Sequence, residues 1–474
     1  MNTDRQTSTP KPEALDAIRA IVGTNGVFDG SDTAPFLSEW RDRWPGEAKL
    51  IVAPASTEDV SEIVKICAAE KIAITPQGGN TGLVGGQIPF GSEILLSMKR
   101  MKKVRDISPL DNTMIVDAGV TLLEAQDAAE KVGRLFPLSI GSEGSCQLGG
   151  VISTNAGGVN VLRYGNMRDL VLGIEVVTPT GEIWQNLKRL RKDNTGYDLK
   201  QLFIGGEGTL GIVTGAVLKL FPRPNEMVTA FAGVPSAEAA VALLSHAQQA
   251  TGGLASSFEL MSRQCLDLLI KNIPGARDPL DDQHQWYVLM EFSSVGSGAL
   301  RGIIENVLAG AIEKNVAADA TIAENETQAK VLWHMRHSMS DAINHEGLGA
   351  RHDVSVPIAD IPDFLVQADI AVKKIAPAAR IVAFGHIGDG NIHYDIVPAE
   401  GDGKNALDDL RPDIETSVYD VIGKFNGSIS AEHGIGRHKK DSIAKRKSPV
   451  ELAMMRAVKK ALDPQGIMNP GKML

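Results

Sequence analysis

Ile72-Ala-Ile-Thr-Pro-Gln-Gly-Gly-Asn-Thr-Gly-Leu-Val-Gly-Gly86 is the stretch on which the reading of the fold turns. Its opening, Ile72 to Thr75, reads as a strand, and Leu50 to Thr75 as a whole reads as strand, helix, strand. Ser56 caps that helix, Asp59 sits three residues on, and Val60, Ile63, Val64 and Cys67 form one apolar stripe. The strand then runs into closely spaced glycines. No charge occurs from Ile72 to Ser92, nor from Gly144 to Leu162. Both stretches mix Gly with Asn, Gln, Ser or Thr and are too polar for a membrane. Backbone amides bared by such glycines bind a phosphate without a lysine, so these stretches are expected to cradle a ligand.

The composition is that of an ordinary globular chain, 43% apolar and 22% charged, and 474 residues suffice for two or three domains. A net charge of −10 with no long basic run argues against nucleic acid. Cys67, Cys146 and Cys265 show no paired spacing, which points to a reducing compartment. Met1 to Pro12 is polar and unlike a signal peptide, and no stretch reads as a membrane span, so the expected location is cytoplasmic.

Gly206-Glu-Gly-Thr-Leu-Gly211 fits the dinucleotide pattern G-x-G-x-x-G, but a strand-like run from Ile212 follows where a helix is required. A nicotinamide cofactor is therefore not expected. Phe221-Pro-Arg-Pro224 closes the glycine-rich half, and from about 228 to 425 strands and helices alternate. The expected fold class is α+β, with boundaries at residues 1–224, 225–425 and 426–474.

Glycine concentrates before residue 224, whereas eight of the ten histidines lie between His334 and His438. The reactive half centres on Gly385-His-Ile-Gly-Asp-Gly-Asn-Ile-His393. Asp389-Gly390 is a two-residue turn signal, which would set His386 directly opposite His393 in a hairpin, with Asn391 on the same face. Two facing imidazoles can grip one metal ion, and Glu432 of Ser430-Ala-Glu-His-Gly-Ile-Gly436 offers a third ligand. Zinc is the leading candidate, with manganese, iron and cobalt remaining open. His433 is the expected general base; its other reading is a partner that orients Glu432. Gly434 and Gly436 mark irregular backbone there. Glu324 to Glu346 reads as one helix with Leu332, Met335, Met339 and Ile343 as its core stripe, and Arg336 and Ser340 on an adjoining face.

Pro76-Gln-Gly-Gly-Asn-Thr-Gly82, Gly144-Ser-Cys-Gln-Leu-Gly-Gly150, Thr154-Asn-Ala-Gly-Gly158, Lys192-Asp-Asn-Thr-Gly-Tyr-Asp198 and Gly205-Gly-Glu-Gly-Thr-Leu-Gly-Ile212 follow one another in order, and the His386 and Glu432 blocks come after them. In this the chain resembles the FAD-linked 2-hydroxy acid dehydrogenases, in the D-2-hydroxyglutarate and D-lactate dehydrogenase branch of the vanillyl-alcohol oxidase superfamily. The likeness runs from about residue 40 to 474. It implies an FAD-binding domain of two α+β subdomains and an α+β substrate domain. It also implies that Gly78, Gly79, Asn80, Thr81 and Gly82 wrap the pyrophosphate, with Pro76 among the cofactor-binding residues. Gly144, Ser145, Gly149, Gly150, Ser153, Thr154 and Asn155 would line the flavin, Glu207, Gly208 and Ile212 the adenosine side, and Asn469 would return to the cofactor. Some relatives carry a flavin-linked histidine where this chain has Asn80, so the FAD is expected to be non-covalent.

The resemblance further makes Arg336 a clamp for the substrate carboxylate. Ser340 and Arg351 stand where relatives have threonine and lysine, which bears on substrate chain length. The implied activity is oxidation of a D-2-hydroxy acid to the 2-oxo acid, with a dicarboxylate such as D-2-hydroxyglutarate favoured and D-lactate next. An FAD-dependent ether-lipid synthase and a non-enzymatic flavin-binding module are the alternatives; neither needs the His-His-Glu set. The implied partners are the small acid and an electron acceptor: an electron-transfer flavoprotein, a cytochrome or a quinone. A homodimer is left open.

Overall fold

The computed structural model describes residues 7–39, 43–296, 298–347 and 349–474. Met1–Gln6, the head of the polar N-terminal stretch, lie outside the described residues. The chain divides into two compact units: Met1–Gly157 with Asn166–Arg223 and His433–Leu474, and Gly158–Gly165 with Pro224–Glu432.

In the first unit, Leu50–Val52, Ile94–Ser97 and Ile74–Gln77 pair in parallel and Val27–Phe28 is added antiparallel. The expected capped helix spans Thr57–Glu70: Ser56 Oγ accepts from the Asp59 amide at 3.1 Å, and Val60, Ile63, Val64 and Cys67 are buried beneath it. The strand after the helix begins at Ile74 and runs to Gln77, two residues later than the sequence suggested. A second sheet, of five antiparallel strands, includes Ile212–Lys219, so the G-x-G-x-x-G match does open a strand. The three cysteines are free and buried.

The second unit is built on one seven-stranded antiparallel sheet. At its site-bearing end, Ala255–Ser262, Arg380–His386, Asn391–Val397 and Ala350–Ser355 lie in that spatial order. Alternation sorts their side chains. Leu260, Ala383, Ile392, Tyr394, Ile396 and Val354 go to one face and join a large apolar core. Met261, Val382, Phe384 and Val397 go to the other and pack with Leu332, Met335, Met339 and Ile343, the stripe expected from the sequence.

That stripe does not belong to one helix. Glu326–His337 and Met339–Asn344 are separate, because Ser338 (φ −80°, ψ 1°) leaves the helical region. The apolar spacing survives the break, since both pieces lie on the same core.

Candidate active site

The functional side chains stand in rows on the second face of that sheet. Glu259 pairs with His386 across neighbouring strands. The next row runs Met261, Phe384, His393, Asp353, and the one beyond it Val382, Asp395, Arg351.

The hairpin register corrects the expected one. Phe384, not His386, opposes His393. The connection is the four-residue run Ile387 to Gly390, and Asp389 keeps a negative φ while Gly390 takes +87°, so the primed two-residue turn does not form. A β-carbon at Gly390 would lie 2.3 Å from the Val356 carbonyl oxygen. Because the slip is two residues, parity is kept. His386 and His393 remain on one face as diagonal neighbours, with ring centroids 5.7 Å apart.

Glu432 completes the set. Its Oε2 lies 3.8 Å from Nε2 of His386 and 3.8 Å from Nε2 of His393, and ligand atoms of the three residues fall within 4.8 Å of one another. Three supports hold Glu432 there. Its Oε1 accepts from the Gly158 amide at 2.6 Å, and its own amide donates to Asp353 Oδ2 at 3.0 Å. Asp353 Oδ1 in turn accepts from Asn391 Nδ2 at 3.0 Å, whose other hydrogen goes to the Val354 carbonyl. Asn391 thus braces the residue that braces Glu432, and its buried Oδ1 is left without an acceptor's partner.

His386 is aimed by Glu259, a residue the sequence reading passed over. Glu259 is fully buried, and its Oε1 lies 2.8 Å from His386 Nδ1. Burial alone would lower the imidazole pKa, but the charges of Glu259 and Glu432 outweigh it and raise it to about 9. With Nδ1 engaged, Nε2 is the nitrogen turned toward Glu432 and His393. Two imidazole nitrogens and a carboxylate oxygen fit a divalent ion of the zinc type, with positions left for a ligand.

The arginines expected to grip substrate carry protein partners. Arg336, buried on Glu326–His337, donates from Nε to Glu259 Oε2 at 2.8 Å and lies over the Phe384 ring at 5.1 Å. Its Nη2 is also 2.8 Å from Oε2, yet no hydrogen on it is directed at an acceptor. The distance records an ion pair; the angle leaves that nitrogen unspent. Arg351 reaches Asp395 at 3.4 Å and Asn344 Oδ1 at 2.9 Å. Ser340 is exposed on the short second helix. His433 follows Glu432 directly, where the chain passes from the second unit to the first.

The glycine-rich residues assemble within the first unit. A β-carbon on Gly79 would lie 1.9 Å from the Ser145 carbonyl oxygen, and one on Gly78 3.4 Å from the Gly150 nitrogen, so the two charge-free stretches pack backbone to backbone. Among the described residues, the amides of Gly78, Gly79, Asn80, Thr81 and Gly82 have no acceptor. Asn80, at φ +57°, spends its side-chain donor on the Pro35 and Ser38 carbonyls, and its buried Oδ1 has no partner. Gly144 and Ser145 are exposed, with open space at Gly144. A run of unspent amides flanked by exposed glycine fits a pyrophosphate-containing cofactor.

Other expected cofactor residues also have partners within the chain. Glu207 (φ +49°) accepts from the Ile435 and Gly436 amides, each at 2.7 Å. Gly434 and Gly436 both have positive φ, as the irregular backbone there required. Asn469 donates to the Gly86 and Glu207 carbonyls, and a β-carbon on Gly208 would meet Pro76 at 2.5 Å. Ser153, Thr154 and Asn155 bond to Gly149, Gly150 and Arg168, while Ile212 begins its strand.

Two family models match the chain: an FAD binding domain over residues 48–185, and the C-terminal domain of FAD linked oxidases over residues 223–473. The chain belongs to the FAD-linked oxidase family. It is 37% identical to a D-2-hydroxyglutarate–pyruvate transhydrogenase of Saccharomyces cerevisiae, over 97% of this chain and 94% of that protein. It is 36% identical to the mitochondrial D-2-hydroxyglutarate dehydrogenase of Arabidopsis thaliana (96% and 80%), and 35% to that of Bos taurus (98% and 84%). Among solved structures it resembles p-cresol methylhydroxylase (TM-score 0.75, 17% identity, 97% and 96% covered). It likewise resembles alkyldihydroxyacetonephosphate synthase (TM-score 0.73, 20%, 99% and 87%). At those identities the likeness is one of fold. The family confirms an α+β flavoprotein. Several relatives are named mitochondrial, which leaves the cytoplasmic expectation without support from them, and no described helix is long and apolar enough to cross a membrane.

Proposed function

We propose that this protein is an FAD-dependent dehydrogenase of a D-2-hydroxy acid, with D-2-hydroxyglutarate the favoured substrate and D-lactate next. The observation that carries the reading is the gathering of His386 Nε2, His393 Nε2 and Glu432 Oε2, each imidazole 3.8 Å from the carboxylate, on a braced sheet face. Family membership and the names of the relatives supply the flavin and the class of acid.

Gly78, Gly79, Asn80, Thr81 and Gly82, with Gly144, Ser145 and Gly150, hold the cofactor through backbone. Asn80 offers no nucleophile for a flavin bond, so FAD is bound non-covalently. Bound FAD supplies the hydride acceptor for the substrate's α-hydrogen. His386, His393 and Glu432 hold a divalent ion, zinc foremost, which supplies Lewis acidity to the substrate hydroxyl. His433 takes the hydroxyl proton.

Arg336 and Arg351 orient the acid through its carboxylates, the planar guanidinium suiting a two-oxygen anion. Each arginine is paired with a buried carboxylate, Glu259 or Asp395, which holds its guanidinium in place. Ser340 and the Asn391 amide complete the polar surround. The electron acceptor is a separate partner: an electron-transfer flavoprotein, a cytochrome, a quinone or a second 2-oxo acid. The three free, buried thiols suit a reducing location such as the cytoplasm or an organelle matrix.

The test is an anaerobic titration of the yellow protein with D-2-hydroxyglutarate, D-lactate and their L enantiomers. The flavin absorbance bleaches with a D acid and regains colour on adding a dye acceptor. A flavin that no 2-hydroxy acid reduces would remove the assignment.

A further inference from the structure

Glu259 occupies an unusual position for a carboxylate. It is fully buried in Ala255–Ser262, between Phe258 and Leu260, both part of the apolar core on the opposite face. A buried ion cluster of this kind is seldom worth more to folding than well-packed apolar side chains of the same volume. Stability therefore does not explain a charge at that position.

Its partners do. The two carboxylate oxygens are divided: Oε1 lies 2.8 Å from His386 Nδ1, and Oε2 accepts from Arg336 Nε at 2.8 Å with Nη2 at the same distance. One group faces the His-His-Glu cluster and the other is the buried arginine placed to meet a carboxylate. The carboxylate therefore offers two acceptor ends, each committed to a different one of these two residues.

We infer that Glu259 is a positioning residue that couples the metal ligand His386 to the substrate-binding Arg336, fixing the orientation of both with one carboxylate. The inference rests on the metal-dependent reading of the site. Through Oε1, Glu259 keeps the proton of His386 on Nδ1 and presents Nε2 to the ion. Through Oε2, it holds the guanidinium beside Phe384. A glutamine of the same size cannot do both, since its NH2 end has no acceptor to offer the second partner.

The test is zinc affinity, measured on the FAD-containing protein by competition with a chromogenic chelator, without turnover. Glu259→Gln is expected to weaken zinc binding by roughly 10–100-fold, the usual effect of removing a carboxylate behind a ligating histidine. At saturating zinc, KM for the acid rises by a larger factor than kcat falls, as expected for a misdirected Arg336. Glu291→Gln is the control. Glu291 is another buried carboxylate of the same sheet, bonded to Trp333 and Thr229, and its removal leaves zinc affinity at the parent value.

Glu259→Asp, one methylene shorter, draws the carboxylate away from both partners and shows the same loss to a smaller degree, which covers a Glu259→Gln chain that does not fold. Parent-like zinc affinity in whichever variant folds overturns the inference. An equal loss in Glu291→Gln also overturns it, because the effect would then be one of general loosening. If the parent itself binds no divalent ion, the metal reading of the site fails and takes this coupling with it.

Discussion

The two units present opposite kinds of group to a ligand. In the glycine-rich unit the unspent groups are main-chain amides, Gly78 to Gly82, beside a contact in which Gly79 packs against Ser145 too closely for a side chain. In the histidine-rich unit they are side chains, and backbone serves only to aim them. Backbone recognition is indifferent to side-chain identity but intolerant of added atoms. Side-chain recognition tolerates crowding nearby but depends on single functional groups. Substitutions should therefore separate the two regions cleanly.

The largest separation is expected from His393→Ala. It removes one of three ligand atoms now within 4.8 Å of each other and changes no residue of the first unit. Losing a Lewis acid worth several kcal/mol should cut kcat/KM about a thousandfold. Flavin absorbance per chain should stay at the parent value. Flavin lost in step with activity would show that the two regions are not energetically distinct.

Gly79→Ala is the converse. Its β-carbon would lie 1.9 Å from one carbonyl oxygen and 3.0 Å from the Cys146 α-carbon, both backbone atoms that must move. Such overpacking costs about 1–3 kcal/mol, and FAD content after gel filtration should fall while zinc affinity holds. Gly141→Ala sharpens the test, since nothing lies within 4 Å of a β-carbon there. Equal FAD content in the two variants would break the argument from close packing.

How far the sequence foretold each region follows from the same contrast. The run of unspent amides was legible because glycine density and missing charge report backbone use directly. The reactive face was legible in part. His386, His393 and Glu432 come together although the pairing that suggested it was two residues off, because period-two alternation keeps the two histidines on one face under an even slip. The break at Ser338 was hidden, since Leu332, Met335, Met339 and Ile343 keep helical spacing across it.

Glu259 was missed for a plainer reason. It reaches its partners from a strand 127 residues before His386, and distant pairings leave no local pattern. One signal was present: a lone carboxylate inside Ser257-Phe-Glu-Leu-Met261, a run otherwise without charge. Glu207 has a partner of the same hidden kind: the resemblance set it beside the cofactor, and its carboxylate accepts from Ile435 and Gly436, more than 200 residues on.

The smallest effect is expected where a carboxylate of the second unit serves the scaffold alone. Glu346 bonds Asn272 at 2.9 Å, Arg380 at 2.6 Å and Lys271 at 3.0 Å, tying the foot of the His386 strand to the helix Arg263–Asn272. Burial would raise its pKa, but those three partners outweigh it and bring it down to about 2. A folded-state pKa below the unfolded one means stability that is fully present above about pH 4.5 and is lost as pH falls through 2. Glu346→Gln removes that contribution, on the order of 2 kcal/mol, at neutral pH. Its Tm should therefore lie below the parent's at pH 7 and approach it toward pH 2.5, with zinc affinity and KM unchanged at pH 7. A shift in zinc affinity would mean that the carboxylates of this unit act as one network, and that the distinction between Glu259 and its neighbours is one of degree.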